Sequence, residues 1–188
     1  MNGVQNGPDT RIRAHKTPAI AAQDRSITLR RPQGSDAIAI RELVAETGVL
    51  DLNSTYAYLL LATDFAETSI VAEVAGELQG FITGYSPPSR PDVLFVWQVA
   101  VAPHAQRGGL AAAMLDDLVD HVRSRRGRAP LTVEATVAPG NASSRAFFGA
   151  FARRHGVPLH EQPHFTAAQL DPDQAHEDEP LLRIGPIG

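Results

Sequence analysis

The chain has no cysteine. That absence excludes a disulfide framework, a thiolate nucleophile and any Cys-based metal site. It also has no apolar run long enough to cross a membrane. The N-terminal segment carries scattered Gly, Pro and Arg without an apolar stretch, so it does not read as a signal peptide. Basic residues are not in excess. Seventeen Lys+Arg stand against 21 Asp+Glu, a net charge of −4 that leaves no nucleic-acid footprint. Together these absences point to the cytoplasm, with neither membrane nor nucleic acid as a partner.

What is present suits a soluble globular domain. The chain has 188 residues, 43% hydrophobic and 20% charged. A chain of that size buries roughly 70% of its unfolded surface, enough for a real core. Met1 to about Arg25 shows no apolar periodicity and is expected to be a disordered tail, leaving residues 26–188 as one domain. Ile27–Arg31 alternates like a strand. Ser35 can cap a helix carrying Ile40, Leu43 and Val44 that stops near Gly48. Thr55–Ala62 reads as a shorter helix, and Ser69–Ala75 and Gly80–Tyr85 as a hairpin around Gly76-Glu77. Leu94–Val101 is a continuous apolar strand. The helix over Gly109–Arg126 sets Ala111, Leu115, Leu118 and Val122 on one face and ends near Gly127. Leu131–Val137 is another strand. Asn141 or Ser143 opens a helix bearing Phe147, Phe148 and Phe151, and short strands follow, the last at Leu181–Ile187. The order β-α-α-β-β-β-α-β-α-β-β predicts a single mixed α/β domain.

Between the strand at 94–101 and the following helix lies Gln106-Arg107-Gly108-Gly109-Leu110-Ala111. A strand, a glycine turn and a helix N-terminus together form an anion site, because the first amides of a helix lack internal partners. The Walker spacing and the G-x-G-x-x-G fingerprint are both missing. The hexamer instead resembles the Q/R-x-x-G-x-G/A signature of the GCN5-related N-acetyltransferase (GNAT) superfamily, with Gln106, Gly109 and Ala111 at its defined positions. The resemblance implies a GNAT-like fold, a mixed central sheet whose two parallel strands, Leu94–Val101 and Leu131–Val137, splay apart between flanking helices. It also implies that residues 106–111 cradle the pyrophosphate of acetyl-coenzyme A, and that the backbone near Val99 and Val101 bonds its pantetheine arm.

Asn141, Ser144 and Phe148 resemble the superfamily's N-x-x-A/S-x-x-x-Y motif. There the Asn binds the cofactor arm and the Tyr protonates the leaving thiolate. Phe148 has no proton to give, so the acid role does not carry over. An N-capped helix with a Phe stripe explains the same residues.

Two further segments narrow the resemblance. Asp51-Leu52-Asn53-Ser54-Thr55-Tyr56-Ala57-Tyr58-Leu59-Leu60 and Phe95-Val96-Trp97-Gln98-Val99 are similar to segments of the diaminobutyrate acetyltransferases of ectoine biosynthesis, as are Glu134 and His176-Glu177-Asp178-Glu179. That family implies a small diamino acid as substrate, acetyl-coenzyme A as co-substrate, no metal, and a homodimer. The chemistry agrees. A lysine-like amine has a pKa of ~10.4, so only ~1 in 2,500 is neutral at pH 7. A carboxylate or polarised water beside it helps remove the proton. Asp51, Tyr56, Trp97 and Glu134 are candidates for binding the substrate, with Glu134 and Tyr56 as candidate catalytic residues. Asp51 also reads as a turn residue, and Trp97 as a core residue. Glu134 lies inside an apolar strand and needs a partner.

His160-Glu161-Gln162-Pro163-His164 matches H-E-x-x-H formally, but that zinc motif needs a helix, and Pro163 costs ~3 kcal/mol in a helix interior. His176–Glu179 reads as a solvated turn. Without a Cys nucleophile, direct amine attack on the thioester is the expected chemistry. Another primary amine, such as a polyamine or a protein N-terminus, remains an alternative substrate. A non-catalytic acyl-coenzyme A sensor is the alternative that Phe148 suggests.

Overall fold

The computed structural model describes Met1, residues 27–170 and residues 176–188. Met1 apart, the expected tail lies outside the described residues. Among those residues no helix is long and apolar enough to cross a membrane.

Strand β1 (Ile27–Arg30) leads through one 3-10 turn into α1 (Ala37–Thr47), and α2 (Thr55–Ala62) follows. Asp36, rather than the expected Ser35, organises the start of α1. Its carboxylate accepts from the Gln33 amide at 2.7 Å and from the Arg30 guanidinium at 2.7 and 2.8 Å. Arg30 also bonds Glu73, so one guanidinium ties β1, the helix entry and the next strand together. The Arg30 hydrogen bonds hold the Asp36 carboxyl below its usual range, with the Gln33 amide acting in the same direction against burial. Ser54 caps α2, its hydroxyl accepting from the Ala57 amide at 3.3 Å.

The hairpin β2 (Ile70–Val74) and β3 (Glu77–Tyr85) turns at Ala75-Gly76. Glu77 therefore belongs to a strand and not to the turn. Then come β4 (Val93–Val101), α3 (Leu110–Arg125), β5 (Leu131–Thr136), α4 (Ala142–His155), β6 (Leu159–Phe165), a single helical turn α5 (Ala167–Leu170) and β7 (Glu179–Ile187). The last strand is longer than its apolar pattern suggested, because Glu179 and Pro180 extend it.

Among the described residues seven strands form one sheet in the order β1-β2-β3-β4-β5-β7-β6, parallel only between β4 and β5. One face carries α3 and α4, whose Leu110, Met114, Leu115, Leu118, Phe148 and Phe151 join Leu94, Val96, Val133 and Ile184 in the larger core. On the other face α1 and α2 bury Ile40, Val44, Tyr58 and Leu61 against Val71, Phe81 and Ala100. Burying these apolar side chains supplies the main stabilisation, about 1.5–3 kcal/mol each.

The β4–β5 pair is short. Only Val93, Leu94 and Phe95 are in register with Thr132, Val133 and Glu134. Immediately beyond, Val96 pairs with Gly84 and Gln98 with Thr83, leaving Trp97 as the extra residue of a β-bulge. The bulge turns β4 away from β5, so among the described residues Val96–Val101 has a strand partner on the β3 side alone. Gly84 is required opposite the bulge. A Cβ there would sit 2.6 Å from the Phe95 carbonyl oxygen and 3.1 Å from that of Thr68. The mixed sheet, its flanking helices and the splay are those expected from the sequence.

Candidate active site

Beyond the end of β4, Pro103–Ala105 makes a single 3-10 turn, and Gln106–Gly109 then leads into α3. Arg107 (φ 65°) and Gly109 (φ 81°) both adopt the left-handed conformation. This folds the chain back so that successive amides converge on one concave surface. The first helical bond runs from the Ala113 amide to the Gly109 carbonyl. The amides of Leu110, Ala111 and Ala112 precede it and have no partner within the helix. Gln106 braces the loop by donating from Nε2 to the Val101 carbonyl at 3.1 Å.

A cavity of about 630 Å3 opens at this helix end. All the residues expected at the cofactor line it except Gly108: Val99, Val101, Gln106, Arg107, Gly109, Leu110, Ala111, Asn141 and Ser144. Ala111 lines this cavity and is only partly buried against the core, whereas Leu110 and Met114 are buried members of it. Asn141 caps α4, its Oδ1 accepting from the Ser144 amide at 3.0 Å, so its Nδ2 is the end left for a ligand. An anion-binding helix-end cradle, an apolar cleft and an unpaired strand edge are the three surfaces that a pyrophosphate, a pantetheine chain and its amides require.

Thr47, Val49, Leu50, Ser143 and Phe147 also line the cavity and were missed from sequence. Helical spacing from Ser144 admits both Phe147 at i+3 and Phe148 at i+4, and the structure separates them. Phe148 is 3% exposed in the core, while Phe147 meets it edge-on at 5.0 Å and faces the cavity.

The four residues expected at the amine do not line that cavity: Asp51, Trp97 and Glu134 lie at the strand break, and Tyr56 lies on α2. Asp51 is exposed and joined to β4 by its carbonyl, which accepts from Gln98 Nε2 at 2.9 Å. Trp97, next to Gln98, is 43% exposed and so is not the core residue that an apolar strand suggests. In α2 the two tyrosines diverge. Tyr58 is fully buried and accepts from the Asn53 amide at 3.2 Å, while Tyr56 is 68% exposed. Glu134 is fully buried. Arg90 Nη1 donates to both of its oxygens, at 2.8 and 2.7 Å, and Arg183 Nη1 donates to Oε1. Neither arginine was singled out from sequence. Each lies more than forty positions from Glu134 and carries no local motif.

His160 and His164 lie in β6 and not in a helix. At ~3.3 Å per residue, four positions along a strand separate them by about 13 Å, which excludes the H-E-x-x-H arrangement. The His176–Glu179 stretch is more engaged than the solvated turn expected of it. Glu177 accepts from the Gly140 amide and Asp178 from the Ala167 amide, each at 2.8 Å, and Glu179 accepts from Thr136 Oγ1 at 2.7 Å.

Comparison with known proteins agrees with this geometry. Residues 38–152 match the acetyltransferase (GNAT) family model. An L-2,4-diaminobutyric acid acetyltransferase of Nocardia farcinica is 45% identical over 159 residues, covering 85% of this chain and 80% of that protein. One from Bordetella parapertussis is 46% identical over 160 residues, 85% and 84% of the two chains. The diaminobutyrate acetyltransferase of Paenibacillus lautus, solved in complex with its substrate L-2,4-diaminobutyric acid and coenzyme A, superposes with a TM-score of 0.79 at 40% identity, covering 87% of this chain and 97% of its own. A more distant structure, Ard1 from Thermoplasma volcanium, shares the fold at 18% identity and a TM-score of 0.62. The splayed strands, the glycine turn and these relatives agree: the chain belongs to the acetyltransferase (GNAT) family, among its L-2,4-diaminobutyric acid acetyltransferases.

Proposed function

We propose that this protein transfers the acetyl group of acetyl-coenzyme A to the 4-amino group of L-2,4-diaminobutanoate, giving N4-acetyl-L-2,4-diaminobutanoate for ectoine biosynthesis under osmotic stress. The observation that carries this reading is the break in β4–β5 pairing after Phe95 and Glu134, which leads to the cavity at the N-terminus of α3. The relatives supply the substrate's identity.

The residues divide the work. The turn at Gln106–Ala111 receives the pyrophosphate, the edge of β4 near Val99 and Val101 receives the pantetheine amides, and Asn141 and Ser144 close the other side. The acceptor enters beside Asp51, Tyr56, Trp97 and Glu134. Asp51 attracts its ammonium, and Trp97 offers a π face to the same charge. Freeing the amine of its proton at pH 7 costs roughly 4.6 kcal/mol, which a carboxylate or a polarised water offsets. The neutral nitrogen then forms a bond to the thioester carbonyl carbon, the carbon–sulfur bond breaks, and coenzyme A leaves as a thiolate, which takes up through water the proton that the nitrogen sheds on becoming an amide. A thiol pKa of ~8.5, by the cysteine reference, makes that a fair leaving group without a tyrosine at Phe148.

The active form in this reading is a cytoplasmic homodimer. Leu52, Leu59 and Phe65 are all exposed on and beside α2, apolar surface that a second copy would cover. Sedimentation of the purified protein tests the dimer. Release of free thiol with diaminobutyrate, spermidine and a peptide panel, with NMR of the product, tests the reaction. Turnover of diaminobutyrate with acetylation at N4 is expected. Preference for spermidine or a peptide, or binding of acetyl-coenzyme A without turnover, would replace this reading.

A further inference from the structure

One row of side chains crosses five strands on the sheet face opposite α3 and α4. Tyr85 pairs with Phe95, Phe95 with Glu134, Glu134 with Arg183, and Arg183 with His160. Directly paired residues share a face, so these five side chains stand side by side. Tyr85 and Phe95 stack with ring centroids 5.1 Å apart and wall one end. Next to them the Glu134 carboxylate is fully buried, with Arg90 reaching it from the loop before β4 and Arg183 from β7.

The charges in this cluster do not balance. A buried carboxylate on a central strand needs a cationic partner, and Arg90, on both oxygens, already supplies one. Arg183 is a second cation on the same carboxylate, so the group carries a net positive charge. Its exposure is divided in the same way, with side chains 43% and 40% exposed for Arg90 and Arg183 over a carboxylate that is 0% exposed. Among the described residues each guanidinium bonds Glu134 through Nη1 alone. The remaining N–H groups form two planar forks at the surface, a shape that matches a carboxylate.

The cluster also stands at the right place. Phe95 and Glu134 are the last paired residues before β4 and β5 part. Trp97 lies two residues further, about 7 Å along the strand. An extended diamino acid with its 4-amine at the break spans a distance of that order.

We propose that Arg90 and Arg183, held in place by the buried Glu134, bind the carboxylate of the acceptor and set the preference for a diamino acid over a plain diamine. This inference rests on the diaminobutyrate reading above and assigns Glu134 to positioning the two arginines. 1,3-Diaminopropane is diaminobutyrate without its carboxylate and serves as the probe. In thiol-release assays on the full chain, wild type should favour diaminobutyrate over diaminopropane in kcat/KM. Arg183→Gln and Arg90→Gln should each lower that ratio at least tenfold, mainly through KM for diaminobutyrate. Arg183→Lys and Arg90→Lys, which keep the charge and lose the fork, should recover part of it. Melting temperature and acetyl-coenzyme A affinity identify any variant that misfolds, and the lysine variants then carry the comparison. Equal losses on both amines, or an unchanged ratio in a folded variant, would overturn the assignment while leaving the diaminobutyrate reading intact. A wild type that does not turn over diaminobutyrate would overturn both.

Discussion

Gln98 and Asp51, 47 residues apart, are joined by a single hydrogen bond of 2.9 Å from the Gln98 side chain to the Asp51 carbonyl. It fastens the segment between α1 and α2 to β4 one residue past the bulge at Trp97. Gln98 is 5% exposed, and its Oε1 has no partner among the described residues. The side chain is thus committed to the loop through its nitrogen alone.

Gln98→Met keeps the length of the side chain and removes this bond. A net hydrogen bond is worth about 0.5–1.5 kcal/mol, so the loss of stability should stay within that range. We expect kcat/KM for diaminobutyrate to fall several-fold, with acetyl-coenzyme A affinity unchanged by calorimetry. Equal damage to both ligands would show that the brace supports the whole site and not the acceptor side.

Gly109 separates two effects. Its φ of 81° is costly for any other residue, although a Cβ would meet nothing within 4 Å. Gly109→Ala should therefore cost about 1 kcal/mol in chemical denaturation through backbone strain. Gly109→Asp adds a negative charge at the helix N-terminus where the pyrophosphate is proposed to bind. It should abolish acetyl-coenzyme A binding while Gly109→Ala weakens it mildly. Similar affinities in the two variants would remove the pyrophosphate from this turn.

Phe148 packs in the core beside Phe151. Phe148→Leu should lower stability by about 1 kcal/mol for the reshaped contact, with kcat nearly unchanged. Phe148→Tyr should not raise kcat tenfold. Such a rise would mean that protonation of the leaving thiolate limits the wild-type enzyme.

Asp36 gives the fold a pH signature. Its carboxyl is held below the usual range chiefly by the Arg30 hydrogen bonds. A depressed folded value means that the unfolded chain takes up the proton first as pH falls. The stabilisation is therefore complete above the unfolded value of ~3.9 and is lost as pH drops through the lower folded value. Asp36→Asn should cost about 1.5–3 kcal/mol at pH 7, the range for hydrogen bonds to charged groups. That gap should close on acidification through the carboxylate range, as urea melts at a series of pH values would record. A gap independent of pH would assign the effect to packing.

The sequence by itself determined whatever depends on neighbours a few positions apart. The stripe of Leu115, Leu118 and Val122, the stop at Gly48, the cap at Asn141 and the glycine turn before α3 are all local, because helix periods and caps act over three or four residues. Family-like segments around Asp51 and Trp97 then named the chemistry. Tertiary structure alone decided the rest. It put Trp97 on a bulge that ends the β4–β5 pairing, sent Phe147 and not Phe148 to the cavity, and brought Arg90 and Arg183 to Glu134 from 44 and 49 residues away. Strand register and long-range ion pairs depend on how distant segments pack. An arginine in a loop looks the same in sequence whether it meets water or a buried carboxylate.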